Sequence, residues 1–120
     1  MATASPHRTR VFLTGGTGNW GRAILRELRE RADRVTVLAL VLPTPRDREV
    51  MEEFSDMENL EVVVGDLTDY AIVESCVSRA DIVLHVGAVV SPLADEHPEL
   101  AHRVNVGSMR GFCTAIMRQI

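Results

Sequence analysis

The chain has 120 residues, 46% of them hydrophobic, which is enough for one domain with a buried core and too few for two. Its net charge of −4 gives no general attraction to nucleic acid or to an anionic membrane, so neither partner is expected. All 13 basic residues are arginine, which excludes Schiff-base chemistry, a P-loop lysine and a lysine general base within this chain.

The first ten residues, MATASPHRTR, contain no apolar segment, and no stretch is long and apolar enough to cross a bilayer. We therefore expect a flexible tail over residues 1–9 and a cytoplasmic protein. Cys76 and Cys113 lie far apart and fit no metal-ligand spacing, so we expect both to be reduced and buried.

Residues 11–14 form an apolar run that ends in glycines, which predicts a strand buried on both faces. After the glycines, Trp20, Ile24 and Leu28 recur at every fourth position and predict an amphipathic helix. We expect Trp20 to begin the buried face of this helix, because a large apolar residue that starts a helical stripe usually packs inward.

A second strand is predicted within DRVTVLALVL, which ends at Pro43 and Pro45. The polar segment 46–59 predicts a loop and a short helix around Val50, Met51 and Phe54. LEVVVGDLTD predicts a third strand. Residues 69–78 then predict a helix whose apolar face comprises Ile72, Val73, Cys76 and Val77.

The segment DIVLHVGAVV predicts a fourth strand, and SPLADEHPEL predicts a loop. Pro98 suits a first helical turn. A helix is predicted from there to the end of the chain, with an apolar face of Leu100, Val104, Met109, Phe112, Cys113 and Ile116. Alternating strands and helices indicate an α/β fold, with parallel strands joined by right-handed crossovers and helices on both faces of the sheet.

The turn TGGTGNWG joins the first strand to the first helix. A pyrophosphate at such a helix N-terminus is held by backbone N–H groups and by the positive end of the helix dipole. Gly15 or Gly16 would allow the tight turn, Gly18 would let the backbone approach the phosphates, and Gly21 would let the helix pack closely on the strand. Structural strand-to-helix turns share this spacing, so the spacing alone leaves both interpretations open.

TGGTGNWG resembles the TGxxGxxG fingerprint of the extended short-chain dehydrogenases/reductases, the NAD(P)-dependent epimerase/dehydratase family. Three further segments, GDLTD, VLHVGAVVS and RVNVGSMRG, resemble motifs of the same family in the same order. The resemblance covers residues 11–111. It implies a domain over residues 10–120 that binds NAD or NADP on a Rossmann-type doubly wound parallel sheet, here truncated to about four strands in the order 3-2-1-4.

The resemblance also implies which residues meet the cofactor. Asp66 would accept a hydrogen bond from the adenine amino group, with Leu67 against the ring. Gly87 and Ala88 would let the chain pass beside the cofactor, and Asn105 falls on the asparagine that orders the family's active-site lysine and water. The turn residues with this implied role are Gly15, Gly16, Thr17, Gly18, Asn19, Trp20 and Gly21.

Two of these assignments have structural alternatives. Asp66 could close the strand and cap the next helix. Asn105 could hydrogen-bond a neighbouring backbone group.

The choice between NAD and NADP stays open. The fingerprint expects an acid about 20 residues past the glycines to bind the ribose 2′-hydroxyl, and this chain has Leu40, Val41 and Leu42 there. Arg46 and Arg48, in a proline-stiffened loop just beyond, could bind a 2′-phosphate, which favours NADP. They could equally be solvated surface arginines.

No catalytic residue is assigned. The family uses a tyrosine with a lysine four residues later, but the only tyrosine, Tyr70, begins a helix and has no such lysine. His85, inside an apolar strand, is expected to be a hydrogen-bonded core histidine, and Ser91 a loop serine. The polar residues Asp95, Glu96, His97 and His102 fit a helix-start loop, so we expect no metal site.

We therefore expect the NAD(P)-binding N-terminal portion of a longer epimerase/dehydratase or dehydrogenase, with the small-molecule substrate bound only in the longer protein. The alternative is a free-standing, non-catalytic dinucleotide-binding or sensor module. The fourth strand would lie at an exposed sheet edge, which could pair with a second copy and give a homo-oligomer.

Overall fold

The structure is a computed structural model, and it describes residues 7–120. Its core is one sheet of four parallel strands in the order β3-β2-β1-β4, which confirms the predicted Rossmann-type α/β fold. Residues 1–6 of the predicted tail 1–9 lie outside the described residues, and Thr9 belongs to the first strand and not to a tail. The strands are β1 (Thr9–Thr14), β2 (Val35–Val41), β3 (Leu60–Val64) and β4 (Ile82–His85).

Six α-helices connect and cover the strands in the described part of the chain. They are α1 (Asn19–Arg29), α2 (Pro45–Met51), α3 (Tyr70–Ser78), α4 (Leu93–Glu96), α5 (Pro98–His102) and α6 (Ser108–Met117). A 3₁₀ turn (Glu52–Phe54) follows α2, and a π-helical turn (Arg103–Gly107) joins α5 to α6. No helix among residues 7–120 is both long enough and apolar enough to cross a membrane.

Two predicted loops contain helices. Arg46 and Arg48 lie in α2 and not in a loop, because Thr44 caps this helix and Pro45 takes its first position, where a proline needs no N–H partner. The segment SPLADEHPEL contains the short helix α4, followed by α5 from Pro98 as predicted.

The core lies on both faces of the sheet, with β1 in the centre. Phe12 and Leu13 of β1 are fully buried and point to opposite faces. The face under α1 contains Leu13, Leu25, Val37, Phe54 and Met57. The face under α3 and α6 contains Phe12, Leu38, Leu40, Val73, Cys76, Val77, Phe112 and Ala115.

The prediction that Trp20 is buried is wrong, because its side chain is 79% exposed. The buried line of α1 consists of Gly21 and Leu25, with Ile24 and Leu28 partly buried beside it. Trp20 precedes Gly21 in the first turn of α1, beside the glycine turn and off this line. The centre of the buried face therefore lies one position after the predicted line of Trp20, Ile24 and Leu28.

The predicted apolar face of the last helix is also partly wrong. Its buried residues are Ser108, Phe112 and Ala115, whereas Met109, Cys113 and Ile116 are exposed. Gly111 faces Tyr70 of α3, and the exposed apolar residues lie on the other flank of α6. Beyond β4, no described element covers that flank, so Cys113 is accessible whereas Cys76 is buried as predicted.

Candidate dinucleotide site at the glycine turn

The glycine turn is held against the segment that follows β4. Gly15 has a φ of +74°, in the left-handed region that favours glycine. A Cβ on Gly15 would also lie 2.6 Å from the amide nitrogen of Gly87. Because β1 and β4 pair side by side, their carboxyl ends bring Gly15 and Gly87 into backbone contact.

Gly21 is required by the packing of α1 on the turn. A Cβ there would lie 1.9 Å from the carbonyl oxygen of Gly15 and 2.5 Å from the Cα of Gly16. No side-chain movement can relieve a contact with backbone atoms. Gly15 and Gly21 are therefore glycines for reasons internal to the fold.

Gly18 differs from both, because the folded chain itself does not require a glycine at this position. Its φ of −79° is available to any residue, and the nearest atom to a Cβ would be the Gly15 oxygen at 3.5 Å. Gly18 is exposed and immediately precedes α1. The missing side chain leaves open space at the N-terminus of a helix.

The first turn of α1 offers N–H donors to that space. The first hydrogen bond of the helix runs from the Arg22 N–H to the Gly18 oxygen, at 2.9 Å, and no side chain in the described part of the chain caps the helix. The N–H groups of Asn19 and Trp20 precede this bond and have no partner within the helix. An anion placed beside Gly18 would accept from these donors, so the residues present fit a pyrophosphate.

Asp66 and Leu67 lie on the neighbouring strand end, after β3. The Oδ1 of Asp66 accepts from the backbone N–H and from the hydroxyl of Thr68, each at 2.9 Å. Asp69, not Asp66, caps α3, since its side chain accepts from N–H groups at the start of that helix. Leu67 contacts the Gly87 region, where a Cβ would lie 3.2 Å from its Cδ1. The structure thus brings Leu67 to the edge of the glycine turn.

Asn105 fixes the path of the chain beyond β4. Its amide donates to the Val89 carbonyl at 2.9 Å and accepts from the Val89 N–H at 2.8 Å. This is the backbone-bonding role that the sequence left open as an alternative. Asn105 lies in the π-helical turn, a feature found frequently at functional sites. Ala88, which precedes Val89 in the chain, is exposed.

His85 is hydrogen-bonded within the fold, as expected. The Gly87 N–H donates to the Thr14 hydroxyl at 3.0 Å, and Thr14 in turn is 2.6 Å from Nδ1 of His85. The imidazole ring packs on Phe112, with centroids 4.4 Å apart. Burial lowers the pKa of His85 and favours its neutral form. A neutral ring lets the Thr14 hydroxyl donate to Nδ1.

Asp47 is a buried acid that the sequence analysis missed. Thr17 in the glycine turn donates its hydroxyl to Oδ1 of Asp47 at 2.6 Å, and the Thr44 hydroxyl contacts the other carboxylate oxygen. The Asp47 N–H donates to the Thr44 hydroxyl at 3.1 Å. This Thr-x-x-Asp arrangement is related to a capping box and could have been recognised from the sequence.

A concave surface lies at the opposite end of the sheet from the glycine turn. It is an open groove of about 450 Å³ lined by Arg10 and Arg79 among others. These arginines are already paired, Arg10 with Asp81 at 3.0 Å and Arg79 with Glu61 at 2.7 Å. Within residues 7–120 no cluster of three or more histidine, cysteine or acidic side chains could hold a metal ion.

Comparison with known proteins agrees with this geometry. Residues 15–115 match the family described as NAD(P)H-binding. An uncharacterized epimerase/dehydratase of Staphylococcus haemolyticus is 32% identical over 104 residues, which are 83% of this chain and 30% of the relative. D-erythronate dehydrogenase of Cupriavidus necator is 30% identical over 114 residues, covering 85% of this chain and 32% of that enzyme.

Solved structures show the same fold. The X-ray structure of Pen from Bacillus thuringiensis has a TM-score of 0.80 and 26% identity, over 92% of this chain and 34% of Pen. WbmH of Bordetella bronchiseptica, solved in complex with NAD+, has a TM-score of 0.77 and 24% identity, over 94% of this chain and 36% of WbmH.

The chain belongs to the NAD(P)H-binding family and is an NAD(P)-binding domain related to the epimerase/dehydratases. It spans about a third of the length of the relatives it matches and corresponds to their N-terminal, cofactor-binding portion. The predicted family and cofactor class are therefore confirmed.

Proposed function

We propose that the glycine turn holds the pyrophosphate of NAD(P), and that the longer protein to which this domain corresponds is a hydride-transferring oxidoreductase or epimerase. The main support for the cofactor site comes from Gly18. The fold has room for a side chain at this position but has none there, and the neighbouring N–H groups of Asn19 and Trp20 have no partner within α1. A dehydrogenase among the relatives supports the reaction class.

The adenine end of the cofactor is assigned to the loop after β3. Thr68 occupies Oδ1 of Asp66, and Oδ2 carries no hydrogen bond among the described residues. Asp66 can therefore hold its turn and still accept from the adenine amino group. Leu67 would lie against the ring, while Gly87 and Ala88 leave room for the cofactor beside the end of β4.

Bound NAD(P) would supply the hydride acceptor or donor, and this chain would bind and orient it. Proton transfer needs an acid/base group, and among the described residues neither Tyr70 nor His85 suits that role. Tyr70 is the first residue of α3 and its ring faces α6, 3.3 Å from where a Cβ on Gly111 would be, and burial raises the pKa of its phenol. Burial also lowers the pKa of His85, and its Nδ1 is already hydrogen-bonded to the Thr14 hydroxyl.

We therefore expect the 120-residue chain alone to show no dehydrogenase or epimerase turnover, because loss of a positioned acid/base costs typically about 10²–10⁴-fold. The check is absorbance of the reduced nicotinamide with both cofactors and a panel of alcohols and sugar nucleotides. Turnover that copurifies with the chain and disappears in Asp66→Ala would show that no further catalytic half is needed.

The binding assignment is tested by calorimetry with NAD and NADP on wild type and Gly18→Val. The isopropyl side chain should fill the phosphate position, so we expect binding to weaken at least about tenfold while the fold persists. Gly107→Ala is the control for a glycine substitution outside the turn, because a Cβ there meets nothing within 4 Å. Equal affinity in Gly18→Val and wild type would remove the assignment.

We further propose a cytoplasmic location and self-association through the edge of β4. In the described sheet β4 pairs only with β1, and Ile82 at its start is 47% exposed. An unpaired apolar strand edge favours pairing with another chain. Sedimentation should show concentration-dependent dimers, and a monomer at all concentrations would contradict this.

The free-standing binding module remains the alternative. It predicts the same cofactor affinity and the same lack of turnover. An open reading frame that continues into a tyrosine with a lysine four residues later would support the enzyme, and a frame without this pair would support the module.

A further inference from the structure

The carboxylate of Asp47 is buried, with only 7% of the residue exposed. Its hydrogen bonds come from hydroxyl groups, those of Thr17 and Thr44. Among the described residues no cationic side chain forms an ion pair with it, and the neighbouring Arg46 and Arg48 are exposed on α2. Burial of a negative charge without a cationic partner has a large free-energy cost, so an acid at this position is unusual for a purely structural role.

Asp47 bridges two parts of the proposed cofactor site. Thr17 lies in the glycine turn between Gly16 and Gly18, and Thr44 follows the end of β2. In doubly wound sheets the adenosine ribose lies between the glycine turn and the end of the second strand. Given the proposed function, on which this step rests, the carboxylate is adjacent to the ribose side of the site.

We propose that Asp47 is a positioning and specificity-determining residue for the cofactor. Through Thr17 and Thr44 it fixes the glycine turn relative to the end of β2. Its negative charge also disfavours a phosphate on the ribose 2′-oxygen, so the chain binds NAD in preference to NADP.

This assignment reverses the preference that Arg46 and Arg48 suggest in the sequence. Both arginines point to solvent from α2, where water and salt screen their charges. Asp47 is buried against the turn itself, so its charge is screened much less. The acid that is missing at residues 40–42 is replaced by one from the following helix.

The test is calorimetry of NAD and NADP with wild type, Asp47→Asn and Glu49→Gln. Asp47→Asn keeps the shape and removes the charge, so the ratio of the NADP to the NAD dissociation constant should fall roughly tenfold. Glu49→Gln makes the same change of net charge on an exposed residue of α2 and should leave the ratio unchanged. Circular dichroism and thermal unfolding verify that each variant is folded.

A wild-type preference for NADP, or the same ratio in Asp47→Asn and Glu49→Gln, would overturn the proposal while leaving the cofactor site intact. Wild type that binds neither cofactor would instead contradict the proposed function and this inference together. If Asp47→Asn does not fold, Thr17→Val and Thr17→Ser replace it. The valine variant should bind NAD more weakly than the serine variant at equal thermal stability, and equal binding by the two would overturn the positioning role.

Discussion

The two ends of the parallel sheet treat charge in opposite ways. At the amino end, beside an open groove, Arg10 pairs with Asp81 and Arg79 pairs with Glu61. At the carboxyl end the start of α1 has N–H groups without a partner inside the helix, and Asp47 is buried with no cationic partner among residues 7–120. The groove therefore does not coincide with the proposed cofactor site. The N–H groups at the start of α1 and the carboxylate of Asp47 distinguish that site.

The largest expected effect is on the carboxyl end, at Gly21. Gly21→Ala places a Cβ against the Gly15 oxygen and should destabilise the domain by about 3 kcal/mol or more. Gly18→Val, three residues away, should change the free energy of unfolding by less than about 1 kcal/mol. Chemical denaturation of both variants measures the difference, and similar losses would show that Gly18 also has a structural role.

The pH dependence of stability should differ between the two ends, beginning with His85 at the carboxyl end. Burial lowers the pKa of His85 in the folded protein, so the unfolded chain takes up the proton first. The free energy of unfolding is therefore unaffected by His85 above the unfolded pKa of about 6.5, and it decreases as the pH falls below that value. We expect the thermal midpoint of wild type to drop between about pH 7 and pH 5.

His85→Gln should flatten that decline, and His102→Gln, a change at an exposed histidine, should not. A decline that is identical in all three proteins would show that another group is responsible.

At the amino end the corresponding group is Asp81. Hydrogen bonds from the Arg10 guanidinium, from the Arg10 backbone N–H and from His7 hold the pKa of this carboxyl well below its usual range. Its contribution is therefore present above the unfolded pKa of about 3.9 and is lost as the pH falls towards the lower folded pKa. Asp81→Asn should lower the midpoint at neutral pH by a small amount and leave it unchanged in strong acid. High salt should reduce the difference, because the pair is exposed.

The smallest expected effect belongs to Trp20. Because its side chain is 79% exposed, Trp20→Ala should change the free energy of unfolding by less than about 0.5 kcal/mol. A core tryptophan would lose about 3–5 kcal/mol on the same change. Urea denaturation followed by circular dichroism distinguishes the two, and a large loss would restore the buried position that the sequence predicts.

The sequence by itself determined the four strands and most of the helices between them, although it predicted a loop where α4 lies. Apolar runs bounded by glycine and proline defined the four strands, and alternation with helical patterns indicated parallel pairing. The order 3-2-1-4 was implied by the resemblance to the short-chain dehydrogenase/reductase family. The glycine turn could also be recognised from the sequence, because its glycines are required by local backbone geometry. Gly15 has a positive φ, and Gly21 packs against Gly15, six residues earlier.

Only the tertiary structure decided which apolar side chains are covered and which polar groups meet. Trp20, Cys113 and Ile116 carry the residue types of a buried face, but burial depends on a neighbouring element, and none of the described ones reaches them. The contact between Thr17 and Asp47 joins residues 30 positions apart. Periodicity reports on one element at a time, whereas such a contact depends on how α2 packs beside the turn.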